Sequence, residues 1–324
     1  MSTRYLGVDG GGSKTAFALI DDTGRILARA TAATSYYFNE GFDVVERVLA
    51  QGVADICGQA GIDPAGIERA FFGIPGYGEA SADIEQLDAV GRHVLGHDRY
   101  SCNNDMVCGW AGSLAGEDGI NVISGTGSMT YGERDGTGHR VGGWGELFGD
   151  EGSAYWVATQ GLNAFTRMSD GRLARGPLYT HFKERLQISS DLDVVSLVIE
   201  KWGGSRGSIA ALATTVCEAA REGDEFARRI LADAATELAT LVETTRVLTG
   251  FTETEPVTVS YSGGMFSDEG FLPLFHGALE RLPAKYDLRR PLLDPALGAA
   301  LYAAKQSGHP LSPHAVHQLA TPRT

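Results

Sequence analysis

The stretch "LGVDGGGSKTAFALI", residues 6–20, decides how the chain begins to fold. Its "GGGSKT" invites comparison with the phosphate loop of P-loop NTPases, which needs Gly, four residues, then Gly-Lys-Ser/Thr, between a strand and a helix. Here Ser13 precedes Lys14 and Val8 stands five residues before Ser13, so both required glycines are misplaced. The residues after Lys14 are also wrong for a helix. Thr15, Phe17, Leu19 and Ile20 form a short β-prone apolar run that ends in the turn signal "DDTG". The unit is therefore strand, glycine-rich turn, strand, with Asp9 at the tip of the first strand.

Outward from that hairpin, "RYLGVD", "AFALID" and "RILARAT" read as three consecutive strands. "GFDVVERVLAQGVADICGQAG" follows as an amphipathic helix, with Val44, Val48, Val53 and Ile56 near helical spacing and Gly61 as its stop. "ERAFFGIPG" reads as a buried strand, "SADIEQLDAVGRHVL" as a helix opened by Ser81, "DRYSCNND" as a strand and "MVCGWAGSLAG" as a helix. The order βββαβαβα predicts a mixed sheet flanked by helices. The pattern then restarts: "GINVISGTGSMTYGERDGTGHRVGG" again holds three strands with a glycine turn after the first. Helix covers most of 153–248, broken around 169–190 and at "WGGSRG", then come a strand in "EPVTVSYSGGMF" and a helix in "DPALGAALYAAKQSG". Two βββ-led halves divide near Gly116, 1–115 and 116–324, with the last helix free to pack back on the first half and a cleft expected between them.

Composition narrows the class. The 324 residues, 43% hydrophobic and 21% charged, suffice for two real cores. Twenty-seven basic against 41 acidic residues leave a net charge of −14. Such an acidic surface disfavours nucleic acid or an anionic membrane as partner. An anionic ligand would need local help from backbone N–H groups, a metal ion or a few basic side chains. No apolar run has the length of a membrane span, and the N-terminus enters a strand without the apolar core of a signal peptide. Cys57, Cys102, Cys108 and Cys217 form no CxxC pair. They read as reduced thiols of a cytoplasmic protein.

Three glycine-rich turns each follow an apolar strand: "VDGGGSKT", "ISGTGSMT" and "YSGGMF". Glycine lets the backbone approach a ligand closely, and successive N–H groups converge into an anion-binding nest. Ser13, Thr15, Thr126 and Ser128 add hydroxyl donors. Two such turns opening equivalent halves could clasp one polyphosphate from opposite sides. Together with "GGWGELFGDEGSAYWVATQGL", residues 142–162, the set resembles the superfamily of acetate and sugar kinases, 70-kDa heat-shock proteins and actin. Within it, the chain resembles the N-acetylglucosamine kinase branch of the BadF/BadG/BcrA/BcrD ATPase family, over nearly its whole length.

The resemblance implies an α/β fold of two actin-like, ribonuclease H-like domains with the active site in the cleft between them. It implies a kinase that uses ATP and Mg²⁺ on an amino sugar, N-acetyl-D-glucosamine at the 6-hydroxyl or alternatively glucosamine, with a homodimer as a possible assembly. By the same resemblance Gly11, Gly12, Ser13, Lys14 and Thr15 form the first phosphate loop, and Gly125, Thr126 and Gly127, with Ser128 toward the sugar, form the second. Ser262, Gly263 and Gly264 lie at the adenosine. Asp9 faces Mg²⁺ through water, as suits a hard cation shared with phosphates. Asp105, in "CNNDMVCGWAG", is the general base; read alone, it is also a good helix N-cap. Gly76, Gly143, Trp144, Gly145 and Asp150 approach the sugar. One departure stands out. The Asn expected soon after the third strand comes late, at Asn39, and Tyr36 and Tyr37 fill its usual stretch.

Other classes fit less well. The ATP-driven activators of 2-hydroxyacyl-CoA dehydratases hold an Fe–S cluster with paired cysteines. Here Cys102 and Cys108 flank the Asp105 loop instead. A sugar-sensing repressor would carry an added helix-turn-helix domain, and the chain opens directly on its first strand.

Overall fold

The computed structural model describes residues 2–38 and 40–321, arranged as two compact units: Met1–Asp118 with Arg290–Thr324, and Gly119–Arg289. The expected division at Gly116 put 116–324 in one half, with the last helix free to pack back on the first; Arg290–Thr324 group with the first unit.

In the first unit, β1 (Arg4–Gly10), β2 (Lys14–Asp21) and β3 (Ile26–Ala33) form an antiparallel meander. β4 (Arg69–Gly73) and β5 (Tyr100–Asn103) join it in parallel, giving the order β3-β2-β1-β4-β5. Side chains alternate across a strand. Leu6 and Val8 of β1 therefore enter the core shared with α1 (Asp43–Ala60) and α2 (Ile84–Leu95). Gly7 faces the other way, against α11 (Pro295–Gln306), where a Cβ would lie 2.2 Å from the Ala296 carbonyl oxygen. α11 crosses α3 (Met106–Leu114) at Gly298 and Gly112, an approach that only glycines permit. α1 ends as expected, on Gly61 in the left-handed region. α2 begins at Ile84, after a 3₁₀ turn at Ser81–Asp83, so Ser81 is not its cap.

The second unit repeats the plan. β6 (Gly119–Ser124), β7 (Ser128–Arg134) and β8 (Thr137–Gly142) form the meander. β9 (Val257–Ser262) and β10 (Tyr286–Arg289) extend it in parallel, in the order β8-β7-β6-β9-β10. The internal repeat thus spans all five strands, and the fold is α/β with two mixed sheets flanked by helices. β10 has only four residues, two of them the charged Asp287 and Arg289, and does not stand out in the sequence pattern. The helices α4 (Ala154–Ser169), α5 (Pro177–Leu186), α6 (Asp193–Ser196), α7 (Arg206–Ala210), α8 (Ala213–Arg221) and α9 (Glu225–Leu248) cover this unit, with a π-helical turn at Leu197–Lys201. α5 fills the stretch read as a break, with Pro177 at its first turn, where a missing N–H costs nothing. α10 (Phe271–Glu280) likewise tolerates Pro273 in its first turn, and α12 (Pro313–Ala320) follows α11. Among the described residues, no helix is long and apolar enough to cross a membrane.

Candidate functional site

In the first unit the site residues gather at the carboxyl ends of parallel strands, where open α/β sheets bind ligands. Asp9 of β1 pairs with Gly73 of β4, which pairs with Asn103 of β5. Asp105 comes two residues after β5. Gly73 lets the start of α3 pack closely against it: a Cβ there would lie 2.2 Å from Cys108 Sγ and 3.2 Å from Asp105 Cα. Asp9 has the parity of Gly7 and so lies on the α3/α11 side of the sheet. Burial pushes its carboxyl up to about 7, the neighbouring carboxylates of Asp105 and Asp294 adding to the shift and Lys14 opposing it. Asp294 caps α11 through Leu297 N–H at 3.0 Å and pairs with Arg29 at 2.8 Å.

The capping of α3 falls to Asn104, whose Oδ1 accepts from Met106 N–H at 3.1 Å. Asp105 makes no side-chain cap hydrogen bond. Its carboxylate is therefore not spent on the helix terminus, the plain structural role that its sequence context allowed.

The first glycine turn is short and open. Gly11 N–H donates to the Lys14 carbonyl at 2.8 Å, and Thr34 Oγ1 to the Gly11 carbonyl at 2.8 Å. Gly12, Ser13 and Lys14 are exposed, and nothing lies within 4 Å of a Cβ built on Gly12. Thr15 differs from expectation: it is fully buried and its hydroxyl donates to Ser35 at 3.2 Å, so it packs the hairpin rather than lining the loop. Gly76 also has a packing reason. Its φ is +83° and its Cβ position lies 2.7 Å from the Phe38 ring. Tyr37 is core: it stacks on Phe38 and Phe42, and its hydroxyl donates to Asp83 at 3.2 Å. Asn39 lies outside the described residues.

In the second unit the other two glycine turns meet. A Cβ on Gly125 would sit 3.8 Å from Gly263 Cα and 3.9 Å from Gly264 N. Gly263 must be glycine, with φ +102° and its Cβ position 2.3 Å from the Ser124 carbonyl oxygen. Ser262 accepts from Asn121 Nδ2 at 3.4 Å. The Gly125 carbonyl accepts from Ala154 N–H at 2.8 Å, seating the loop on the start of α4. A cavity of about 640 Å³ opens here, lined by Gly125, Thr126 and Gly264 on one side and by α7–α8 residues such as Gly207, Ala211 and Thr214 on the other. That volume suits a nucleoside-sized ligand. The α7–α8 wall escaped sequence reasoning because small residues spaced for helix packing carry no chemical signature.

The sugar-site candidates are differently disposed. Ser128 is buried, its hydroxyl donating to the Glu151 carbonyl at 2.6 Å, so it acts within the loop. Gly143 and Gly145 have φ of +71° and +90°, and Gly143 N–H donates to the Ser128 carbonyl at 2.9 Å. Trp144 stands 73% exposed, with Leu147 and Phe148 also in solvent, so it is not a core residue. Asp150 is 2% exposed, has φ +58° and hydrogen bonds to Arg206. Burial raises its pKa, while Arg206 and the backbone N–H groups of Gly145 and Ser128 oppose the rise. Arg206, missed in the sequence, also lies 3.3 Å from Glu146. A lone Arg among the Gly and Ser of "WGGSRGS" was the available signal.

The fit to Mg²⁺ rests on oxygen donors. Among the described residues no set of three His, Cys, Asp or Glu could hold a metal by itself. Mg²⁺ commonly takes one or two carboxylates and completes its shell with water and phosphate. Asp9, with Asp105 beside it, supplies that donor chemistry.

The chain is similar to known proteins over most of its length. The chain is 29% identical over 310 residues to the N-acetyl-D-glucosamine kinase of Dictyostelium discoideum, covering 92% of this chain and 97% of that one. It is 28% identical over 268 residues to the N-acetylmuramic acid/N-acetylglucosamine kinase of Clostridium acetobutylicum, covering 82% and 87%. Among solved structures, a candidate N-acetylglucosamine kinase from Chromobacterium violaceum matches with TM-score 0.69 and 25% identity over 93% of this chain and 99% of that one. A ROK family glucokinase from Streptomyces griseus, solved with glucose and AMPPNP, shares the fold at TM-score 0.55 and 17% identity, covering 94% and 100%. The model of the BadF/BadG/BcrA/BcrD ATPase family matches residues 6–303, and the chain belongs to that family.

Proposed function

We propose that the protein transfers the γ-phosphoryl group of ATP to a sugar, N-acetyl-D-glucosamine at its 6-hydroxyl, with Asp105 as general base. The observation that carries this reading is the carboxylate pair Asp9 and Asp105 flanking Gly73, in a fold that also presents the Gly125–Gly264 cavity. The attacking hydroxyl must lose its proton as it meets phosphorus, and a carboxylate within hydrogen-bond reach accepts it. The N–H groups of Gly11 to Ser13 and of Gly125 to Gly127 orient the phosphates, and the cavity holds the adenosine. Mg²⁺, held through Asp9, supplies charge neutralisation on the phosphates when bound. Most of the acceleration then comes from alignment and electrostatics. Gly143, Gly145 and Asp150 shape the sugar site. The curated relatives' names support the N-acetylated substrate.

A coupled ADP-release assay with N-acetylglucosamine, glucosamine, N-acetylmannosamine, N-acetylmuramic acid and glucose tests the reading. N-acetylglucosamine should give the highest kcat/KM. A preference for glucosamine would move the assignment to the free amine, and no sugar-dependent ADP release would overturn it.

A further inference from the structure

Arg206 is the cation that the second glycine turn is built around. A Cβ on Gly127 would come within 2.4 Å of its Nη2, so the guanidinium rests directly on the loop backbone. The same Nη2 donates to the carboxylate of Asp150, which is 2% exposed. Its Nε–H is buried without a hydrogen-bond partner: Glu146 lies at 3.3 Å, close enough for ion pairing but off the N–H axis. The next residue, Gly207, lines the 640 Å³ cavity, as do Gly125 and Thr126. A nucleotide seated with its base in that cavity and its phosphates along Gly125–Gly127 brings a phosphate oxygen to Arg206. A guanidinium has five N–H donors, more than Asp150 uses, and its fork geometry matches phosphate.

We propose that Arg206 is a positioning residue that binds the nucleotide's phosphates with the donors Asp150 leaves open, so that one side chain ties the phosphate site to the sugar-site carboxylate. This rests on the kinase reading above and extends it to a residue that the motifs did not mark. In a chain of net charge −14, a fixed cation at the phosphates has an evident electrostatic use.

The test is calorimetric titration of the full chain with ADP and with adenosine, for the wild type, Arg206→Gln and Arg206→Lys. Charge-assisted hydrogen bonds of this kind account for about ten- to a hundredfold in affinity. Arg206→Gln should lose that factor for ADP while adenosine binding stays within about twofold, because adenosine has no phosphate. Arg206→Lys should recover part of the loss as a point charge. Unchanged ADP affinity in Arg206→Gln, or an equal loss for ADP and adenosine, overturns the proposal; the second result would mean that Arg206 only shapes the cavity. Should Arg206→Gln not fold, Arg206→Lys decides: a deficit confined to ADP supports the proposal, and no deficit or an equal one overturns it. A wild type that binds neither ligand would overturn the nucleotide-site reading itself.

Discussion

The two glycine turns after β1 and β6 close the first hairpins of sheets with the same strand order, yet their surroundings differ. The first is open, with Gly12, Ser13 and Lys14 in solvent. The second is enclosed by the start of α4, by Gly263–Gly264 and by the Asp150–Arg206 pair. Asp9 stands at the first turn where Ser124 stands at the second, and Ser124 donates to the Gly152 carbonyl at 2.8 Å. A duplicated plan thus carries different side chains: Asp9 and Asp105 in one unit, a cavity and the Asp150–Arg206 pair in the other.

The largest test removes the proposed base. Asp105→Asn should lower kcat by about 10²–10⁴-fold, with ADP and sugar affinities nearly unchanged by calorimetry. Retained turnover would mean that Asp105 is not the base.

Asp9→Asn should lower kcat by about 10²-fold and raise the Mg²⁺ concentration needed for half-maximal rate. The same variant should melt no lower than wild type, since burial and the carboxylates of Asp105 and Asp294 disfavour the charge that it removes. A marked fall in Tm would make Asp9 structural.

The contrast between turns is sharpened by one substitution in each. Gly127→Ala puts a methyl 2.4 Å from Arg206 and 2.6 Å from Asp150, and should lower kcat/KM for ATP by about tenfold and cost about 1–3 kcal/mol of stability. Gly12→Ala meets open space and should leave stability within about 0.5 kcal/mol. Equal costs in denaturant titrations would show that the turns are not differently enclosed.

The smallest effect concerns acid stability of the second unit. Asp191 accepts from Ser169 and Tyr179 at 2.7 Å and from Lys183 at 2.7 Å, which tie α4 and α5 to the following loop. These hold its carboxyl down at about 2, with the Lys183 bond the largest cause. A lowered folded pKa gives stability that is present above the unfolded value near 4 and lost as pH falls toward 2. Asp191→Asn should cost about 1 kcal/mol at pH 7, allowing for solvent screening, and the cost should shrink toward pH 2 and vanish below it. A pH-independent loss would point to packing instead.

What could be read from residues alone was whatever depends on local pattern. Alternation and turn chemistry gave both meanders, because Leu6/Val8 and Ile120/Val122 alternate on strands bounded by glycine turns. Glycines at 125 and 263–264 marked close backbone approach, and Asp105 stood out at a strand–helix junction. The four-residue β10 and the proline-bearing α5 and α10 were not legible, since a short edge strand has no period and a first-turn proline looks like a break. Side-chain commitments were not legible either. That Thr15 and Ser128 turn their hydroxyls inward, and that Arg206 lies on Gly127, depend on residues far apart in sequence. The sequence by itself determined the two repeated hairpins and their chemical types, because strand period and glycine conformation are local. Only the tertiary structure decided which carboxylates, hydroxyls and cations face one another, because burial and hydrogen-bond pairing are set by chain segments that meet only when the sheets and helices pack.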